Sequence, residues 1–235
     1  MKNLKNWDDK TWLSSDKYIK NICAFIKSKK KLKKDAKILD IGCGRANIIS
    51  RLQQKHELII RPIGIDLIKN KGIKKNIKFI KNNAIKFLKK GLKFDLIIIK
   101  QTIHLIKKRD QRILLRLCKS SLNKKGKLLI FSLKTKHNQI PVFRLFEKKL
   151  KVSLKKDKKI FTDIKRILRK VKISNFNFKV NIRKKDYIKM IKKRYISCLL
   201  KMTQREIKNG ADEINLNYDD QIKFTDSLIC VAYTN

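Results

Sequence analysis

Apolar positions recur along this chain in two rhythms. Short strand-like runs come first: Lys37 to Ile41, Pro62 to Asp66, Ile77 to Ile80, Phe94 to Ile99 and Leu128 to Leu133. The fourth, with its unbroken Leu-Ile-Ile-Ile core, has the composition of a parallel strand buried on both faces. Between them lie segments with helix-face spacing. Asn47 to Gln54 carries Ile48, Ile49 and Leu52, and a short helix follows Asn82-Asn83-Ala84 through Leu88. Gln111 to Ser121 carries Ile113, Leu114 and Leu117, with Asp110 as its expected N-cap. Trp7 to Ile26 reads as an N-terminal helical region with Trp12, Tyr18, Ile19, Ile22 and Phe25 as its apolar and aromatic positions.

Beyond Leu133 the rhythm changes. Residues 134–172 predict two helices, around Phe143–Leu150 and Phe161–Val171. Phe176 to Ile182 alternates like a half-buried strand, and Asp186 is placed to cap a helix carrying Ile188, Ile191, Ile196 and Leu199. Thr203 and Glu206 have capping-box spacing, Gly210 is a candidate helix terminator, and Ser227 to Tyr233 closes the chain as a strand. Alternating strands and helices indicate an α/β domain with a largely parallel sheet. One domain is expected: a helical cap (1–36), a core (37–133), a helical insertion (134–172), and C-terminal strands and helices (173–235).

Composition adjusts this picture in one respect. Lys and Arg number 63 against 19 Asp and Glu, a formal net charge of +44. Such a surface attracts polyanions, so nucleic acid or an acidic metabolite is a candidate partner. Lysine dominates arginine, however, and the lysines run from Lys2 to Lys223 instead of gathering in a patch, which reads as compositional drift. Five single cysteines and three histidines offer no metal-binding spacing. No apolar stretch reaches membrane-spanning length and the N-terminus lacks a signal-peptide core, so the cytoplasm is the expected location.

The candidate chemistry sits after the first strand, in Asp40-Ile41-Gly42-Cys43-Gly44. Glycines there permit a tight turn and close backbone approach by a ligand. The dinucleotide fingerprint requires glycine or alanine where Asn47 stands, and the phosphate-binding Gly-Lys-Ser/Thr ending is missing. Asp40 would repel a pyrophosphate and suits a ligand bearing an ammonium and a sulfonium.

On these residues the chain resembles the class I S-adenosylmethionine-dependent methyltransferases, particularly the small-molecule type. Asp40, Gly42 and Gly44 match the family's acidic residue and alternate glycines, with Ala46 in the third glycine's place. The resemblance implies a Rossmann-like, mostly parallel seven-stranded sheet flanked by helices, with the last strand antiparallel. It implies S-adenosylmethionine as cofactor, held by Asp40, Gly42, Cys43 and Gly44. Asp66 would bind the ribose hydroxyls, Leu67 would pack on adenine, Asn83-Ala84 would read the adenine edge, and Lys100 and Gln101 would approach the methionine part. His104, in the loop after the fourth strand, is a candidate base. Trp12 and Tyr18, with Trp7, are candidates for a lid over the site, and Arg194 and Tyr195 for contact with an anionic substrate. Lys100 to His104 lacks the proline motif of nucleobase amine methylation and the cysteine of cytosine-C5 enzymes. A small-molecule acceptor is therefore expected; RNA methylation, or a non-catalytic basic RNA-binding role on a degenerate fold, are the alternatives that charge supports.

Overall fold

The computed structural model describes residues 11–235. Its strands are β1 (Ile38–Ile41), β2 (Ile63–Asp66), β3 (Lys78–Lys81), β4 (Phe94–Lys100), β5 (Leu122–Leu133), β6 (Val171–Arg183) and β7 (Gln221–Thr234). They form one sheet in the order β3-β2-β1-β4-β5-β7-β6. The pairs among β1 to β5 are parallel, and β7 runs antiparallel to both neighbours. The order reverses between β1 and β4, which opens a crevice at the carboxyl ends of the strands.

Helices α1 (Asp16–Lys29), α2 (Asn47–His56), α3 (Ala84–Leu88), α4 (Lys108–Ser120), α5 (Arg144–Leu168), α6 (Lys184–Lys192) and α7 (Gln204–Asn217) complete the fold. Two apolar cores result. Ile22 of α1, Ile49 of α2, Tyr187 of α6 and Ile207 of α7 meet Leu96, Ile98 and Phe131 in one. Phe87 of α3 and Leu114 of α4 meet Ile97, Ile99 and Ile130 in the other. Neighbouring β4 and β5 residues thus alternate between the cores, as a sheet covered on both faces requires. Among the described residues no helix is long and apolar enough to cross a membrane.

Several local expectations are corrected. The two helices expected between Phe143 and Val171 are one 25-residue helix, α5. Its Phe146, Leu150 and Leu154 enter the first core and its Ile164 and Leu168 the second. Between these groups the buried stripe is occupied by Asp157, so an apolar pattern breaks where the helix does not. Gly210 does not end α7, which continues to Asn217. A Cβ there would lie 2.4 Å from the Phe143 ring, so the glycine serves helix packing instead of termination. The Thr203–Glu206 capping box does form. Asp110 and Asp186 lie inside the first turns of α4 and α6 and not at the caps. Helix α6 stops at Lys192, before Ile196 and Leu199, because Arg194 takes a left-handed φ of 53°. Strand β5 starts at Leu122, six residues before the expected Leu128. Gly126 lies within it, beside a register irregularity where a side chain would strike the carbonyls of Asn123 and Phe94.

A substitution at Gly210 separates helix propensity from packing. Gly210→Ala should improve the helix by up to about 1 kcal/mol. Overpacking against Phe143 should nonetheless dominate and lower stability by about 1–3 kcal/mol. Urea denaturation of the two proteins measures the difference, and a more stable variant would contradict this packing.

Candidate functional site

The loop from β1 into α2 has three left-handed residues at alternate positions: Gly42 at φ 73°, Gly44 at φ 56° and Ala46 at φ 61°. This explains the sequence spacing, since each of the three positions must tolerate a conformation that a Cβ disfavours by about 1–2 kcal/mol. Alanine at position 46 accepts that strain, and its methyl is fully buried. The loop is tied to the next strand by its own amides. Gly42 and Cys43 donate to the carbonyl of Ile65, at 2.8 and 3.1 Å. Gly44 donates to Oδ2 of Asp66 at 3.0 Å, while Ile68 donates to Oδ1 at 3.0 Å. Both oxygens are thereby oriented, and each retains a lone pair for a ligand hydroxyl.

Beneath the loop, a Cβ on Gly42 would stand 2.2 Å from Oγ1 of Thr102. Thr102 Oγ1 itself donates to the Lys100 carbonyl at 3.0 Å. Cys43 is half-buried and packs on Gly64, where a Cβ would lie 2.8 Å from its Sγ. Gly44 is different, because nothing lies within 4 Å of the Cβ it lacks. That open space belongs to a cavity of about 580 Å³.

The cavity gathers most of the predicted residues. Asp40, Gly42, Cys43, Gly44, Asp66, Leu67, Asn83, Ala84, Lys100, Gln101, His104, Trp12, Arg194 and Tyr195 all line it. Asp40 is 4% exposed, and burial raises its pKa to about 7 despite the opposing charge of Lys100; Asp66 adds to the rise. Leu67 is 45% exposed, an apolar surface open to a flat ring. Asn83 caps α3, its Oδ1 accepting from Ile85 and Lys86 at 2.9 and 3.2 Å. What it offers a ligand edge is therefore chiefly its Nδ2 donor. Gln101 holds a φ of 50° and donates its amide to the Phe131 carbonyl at 2.8 Å, which bends the chain away from β4. His104 lies 3.3 Å from Ser197 Oγ, and burial lowers its pKa to about 4, so it is neutral at physiological pH and only a weak base.

The residues expected on the substrate side divide. Trp12 reaches the cavity and donates Nε1 to Oδ2 of Asp226 at 3.0 Å. Tyr18 is fully buried, its ring edge-on to Phe176 and Phe178 and beneath Lys100 Nζ, and it belongs to the core and not to the cavity wall. Tyr195 contributes to the wall, but its hydroxyl is buried against Tyr187 Oη at 2.9 Å. Arg194 turns its guanidinium to the Met202 carbonyl and Gln204 Oε1, at 3.1 and 3.3 Å. Trp7 lies outside the described residues. Sequence reasoning missed Thr102, Ser197, Asp226 and Asp157, of which all four line the cavity. Asp157 alone left a trace, as the polar break in the α5 stripe. Among the described residues no group of three metal-ligating side chains occurs.

A family model described as a methyltransferase domain matches residues 32–172. No curated protein matches the chain. Among solved structures, a methyltransferase from an antibiotic biosynthesis pathway of Anabaena variabilis is 12% identical and superposes with a TM-score of 0.66, over 89% of this chain and 95% of that one. An S-adenosylmethionine-dependent methyltransferase from Archaeoglobus fulgidus is 17% identical, with a TM-score of 0.52 over 92% and 94%. A phosphoethanolamine N-methyltransferase from Haemonchus contortus, solved with S-adenosylhomocysteine, is 17% identical, with a TM-score of 0.51 over 97% of this chain and 59% of that one. At these identities the likeness is one of fold.

The two loop glycines should respond differently to the same change. Gly42→Ala drives a methyl into Thr102 in a left-handed residue and should destabilise the protein by more than about 2 kcal/mol. Gly44→Ala should cost only about 1–2 kcal/mol while placing its methyl in the cavity. Thermal denaturation should rank Gly42→Ala well below Gly44→Ala, and the folded Gly44→Ala protein should lose ligand affinity.

Proposed function

The chain belongs to the methyltransferase-domain family, and from that premise we propose that its cavity holds S-adenosylmethionine over the β1–α2 loop and transfers the methyl group to a small-molecule acceptor. The observation that carries this reading is the pairing of an unfilled cradle at Gly44 with a backbone-clamped Asp66. The first admits a ligand against the backbone, and the second offers two oriented acceptors at the spacing of neighbouring ribose hydroxyls. Leu67 supplies an apolar face for adenine, Asn83 donates to its edge through Nδ2, and Ala84 borders the same ring. Asp40, with the backbone around Gly42, Lys100 and Gln101, receives the aminoacyl end.

When bound, S-adenosylmethionine supplies an electrophilic methyl on a sulfonium that leaves as a neutral thioether. The protein's task is alignment and exclusion of water. The elements for that task are on the far side of the cavity. Leu150, Ser153 and Asp157 of α5, residues 194–198 and Trp12 form its wall. These enclosing side chains, and a loop after β4 without a nucleobase-binding proline motif, favour a small acceptor over RNA. His104 and Ser197 are placed where an acceptor would meet the loop; the low pKa of His104 suits a hydrogen-bond acceptor more than a proton sink.

Calorimetry with S-adenosylhomocysteine tests the cofactor assignment, and no heat at millimolar ligand would refute it. Asp66→Ala should weaken binding by about 2–3 kcal/mol, roughly 30- to 150-fold, by removing charge-assisted hydrogen bonds. A pH series adds a second check. The ligand's ammonium favours ionised Asp40, whose proton is lost only near pH 7 in the free protein. Affinity should therefore rise as pH increases through 7 and level off above it, by up to about tenfold per unit on the acid side. Asp40→Asn should flatten that dependence.

A further inference from the structure

Charge is distributed in opposite senses outside and inside this molecule. Of the 19 Asp and Glu, five line the cavity: Asp40, Asp66, Asp110, Asp157 and Asp226. Although the chain holds 63 Lys and Arg, among the described residues only Arg45, Lys100, Arg194 and Lys201 do so. Acids are thus enriched severalfold in this one place. Of these bases, Lys100 partly offsets Asp40 and Asp226, and none is paired with Asp157. Arg194 is turned to Met202 and Gln204, and Lys201 is exposed at the rim.

Asp40 and Asp66 belong to the donor end. Asp226 and Asp157 come instead from β7 and α5, which contribute nothing to the β1–α2 loop, and they face the same cavity. Asp226 is 1% exposed, and among the described residues only Trp12 Nε1 donates to it. Asp157 is 6% exposed, and no described group hydrogen-bonds to it. Burying a carboxylate with one partner, as at Asp226, or none, as at Asp157, is costly unless a further partner arrives. Burial raises both groups above the usual carboxylate range, Asp157 to about 6. Around them the wall is apolar and aromatic, with Trp12, Leu133, Ile140, Leu150 and Tyr195.

We propose that the methyl acceptor is a small molecule with a basic nitrogen, recognised as an ammonium by Asp226 and Asp157 and methylated on that nitrogen. This rests on the methyl-transfer reading and adds the acceptor's class to it. The ammonium gives up one proton to the Asp157 carboxylate, freeing its lone pair. The pair then forms the C–N bond as the S–C bond breaks, and the S–C electrons leave on sulfur. The product is a methylated ammonium and a neutral thioether. Asp226, fixed by Trp12, accepts a hydrogen bond from the nitrogen and orients it.

The overall charge of +44 does not oppose this chemistry at the site. Surface lysines are screened beyond about 8 Å at physiological salt, whereas buried carboxylates are screened far less. The surface does predict a sign. A cationic acceptor is repelled at low ionic strength, so its KM should fall as salt rises, while KM for an anion or RNA should climb.

The test uses the full-length protein, labelled S-adenosylmethionine and a small-molecule cell extract split on cation- and anion-exchange resins at neutral pH. Label should enter the cation-retained fraction. Label only in the anion-retained or unretained fraction, or in none while S-adenosylhomocysteine still binds, overturns the proposal. Failure of S-adenosylhomocysteine to bind would instead overturn the methyl-transfer reading. With the labelled acceptor purified, Asp226→Asn (which preserves the Trp12 hydrogen bond) and Asp157→Asn should each raise its KM at least about tenfold. Asp157→Asn should keep S-adenosylhomocysteine affinity within about twofold, since Asp157 lies on α5 and not on the loop or strands that bear the donor-end residues. Acceptor-induced thermal stabilisation, measured without cofactor, should vanish in both variants. Unchanged KM and unchanged stabilisation in the two variants overturn the assignment.

Discussion

The left-handed turn at the end of β1 governs how the rest of the cavity is arranged. Three alternate residues in that conformation carry the chain from strand to helix in a few steps and leave successive amides pointing outward. Those amides fasten the carbonyl of Ile65 and the carboxylate of Asp66, so the end of β2 is positioned by the loop after β1. Gly42 rests on Thr102, which fixes the exit of β4 against the same loop. Three strand ends are thus registered by one turn. The strain at Ala46, about 1–2 kcal/mol for a non-glycine residue, is tolerated because its methyl is buried and its carbonyl begins the hydrogen bonding of α2.

A second organising fact is the separation of charge by depth. Exposed lysines make the protein basic at long range, yet they say little about chemistry a few ångströms inside. The cavity carries carboxylates from α4, α5, β1, β2 and β7. Such placement costs stability in the empty protein, because each group prefers water or a partner. Expectations drawn from net charge point toward an anionic substrate or RNA, whereas carboxylates are far more frequent relative to bases along the cavity than along the chain as a whole.

The donor half was legible because its requirements are local. Glycines at alternate positions report left-handed backbone directly, and Asp66 is the last residue of a recognisable strand run. The sheet was legible for the same reason, since each core strand is a short apolar run. The acceptor half depends on residues distant in sequence, and neighbouring residues do not announce them. Asp226 precedes an apolar strand like any edge residue, and only its pairing with Trp12 gives it meaning. Asp157 sits among lysines, and its place on the buried stripe of α5 made one helix resemble two. Gly210 was misread because a helix-ending glycine and a helix-packing glycine look alike until the Phe143 ring is placed above it. Tyr18 shows the converse, an aromatic residue beside the site in sequence order that the core absorbs.

The contact between Trp12 and Asp226 joins positions 214 residues apart. During synthesis, the chain that forms the donor half is complete once β5 has emerged, while the acceptor wall awaits the final strand. Contacts of such sequence separation close late, after the loop between them has already ordered. A nascent chain therefore passes through a stage in which the β1–α2 loop has formed and the Trp12–Asp226 wall of the cavity has not. Truncation near the C-terminus, or delay in docking β7, would leave the cavity open on its Trp12 side.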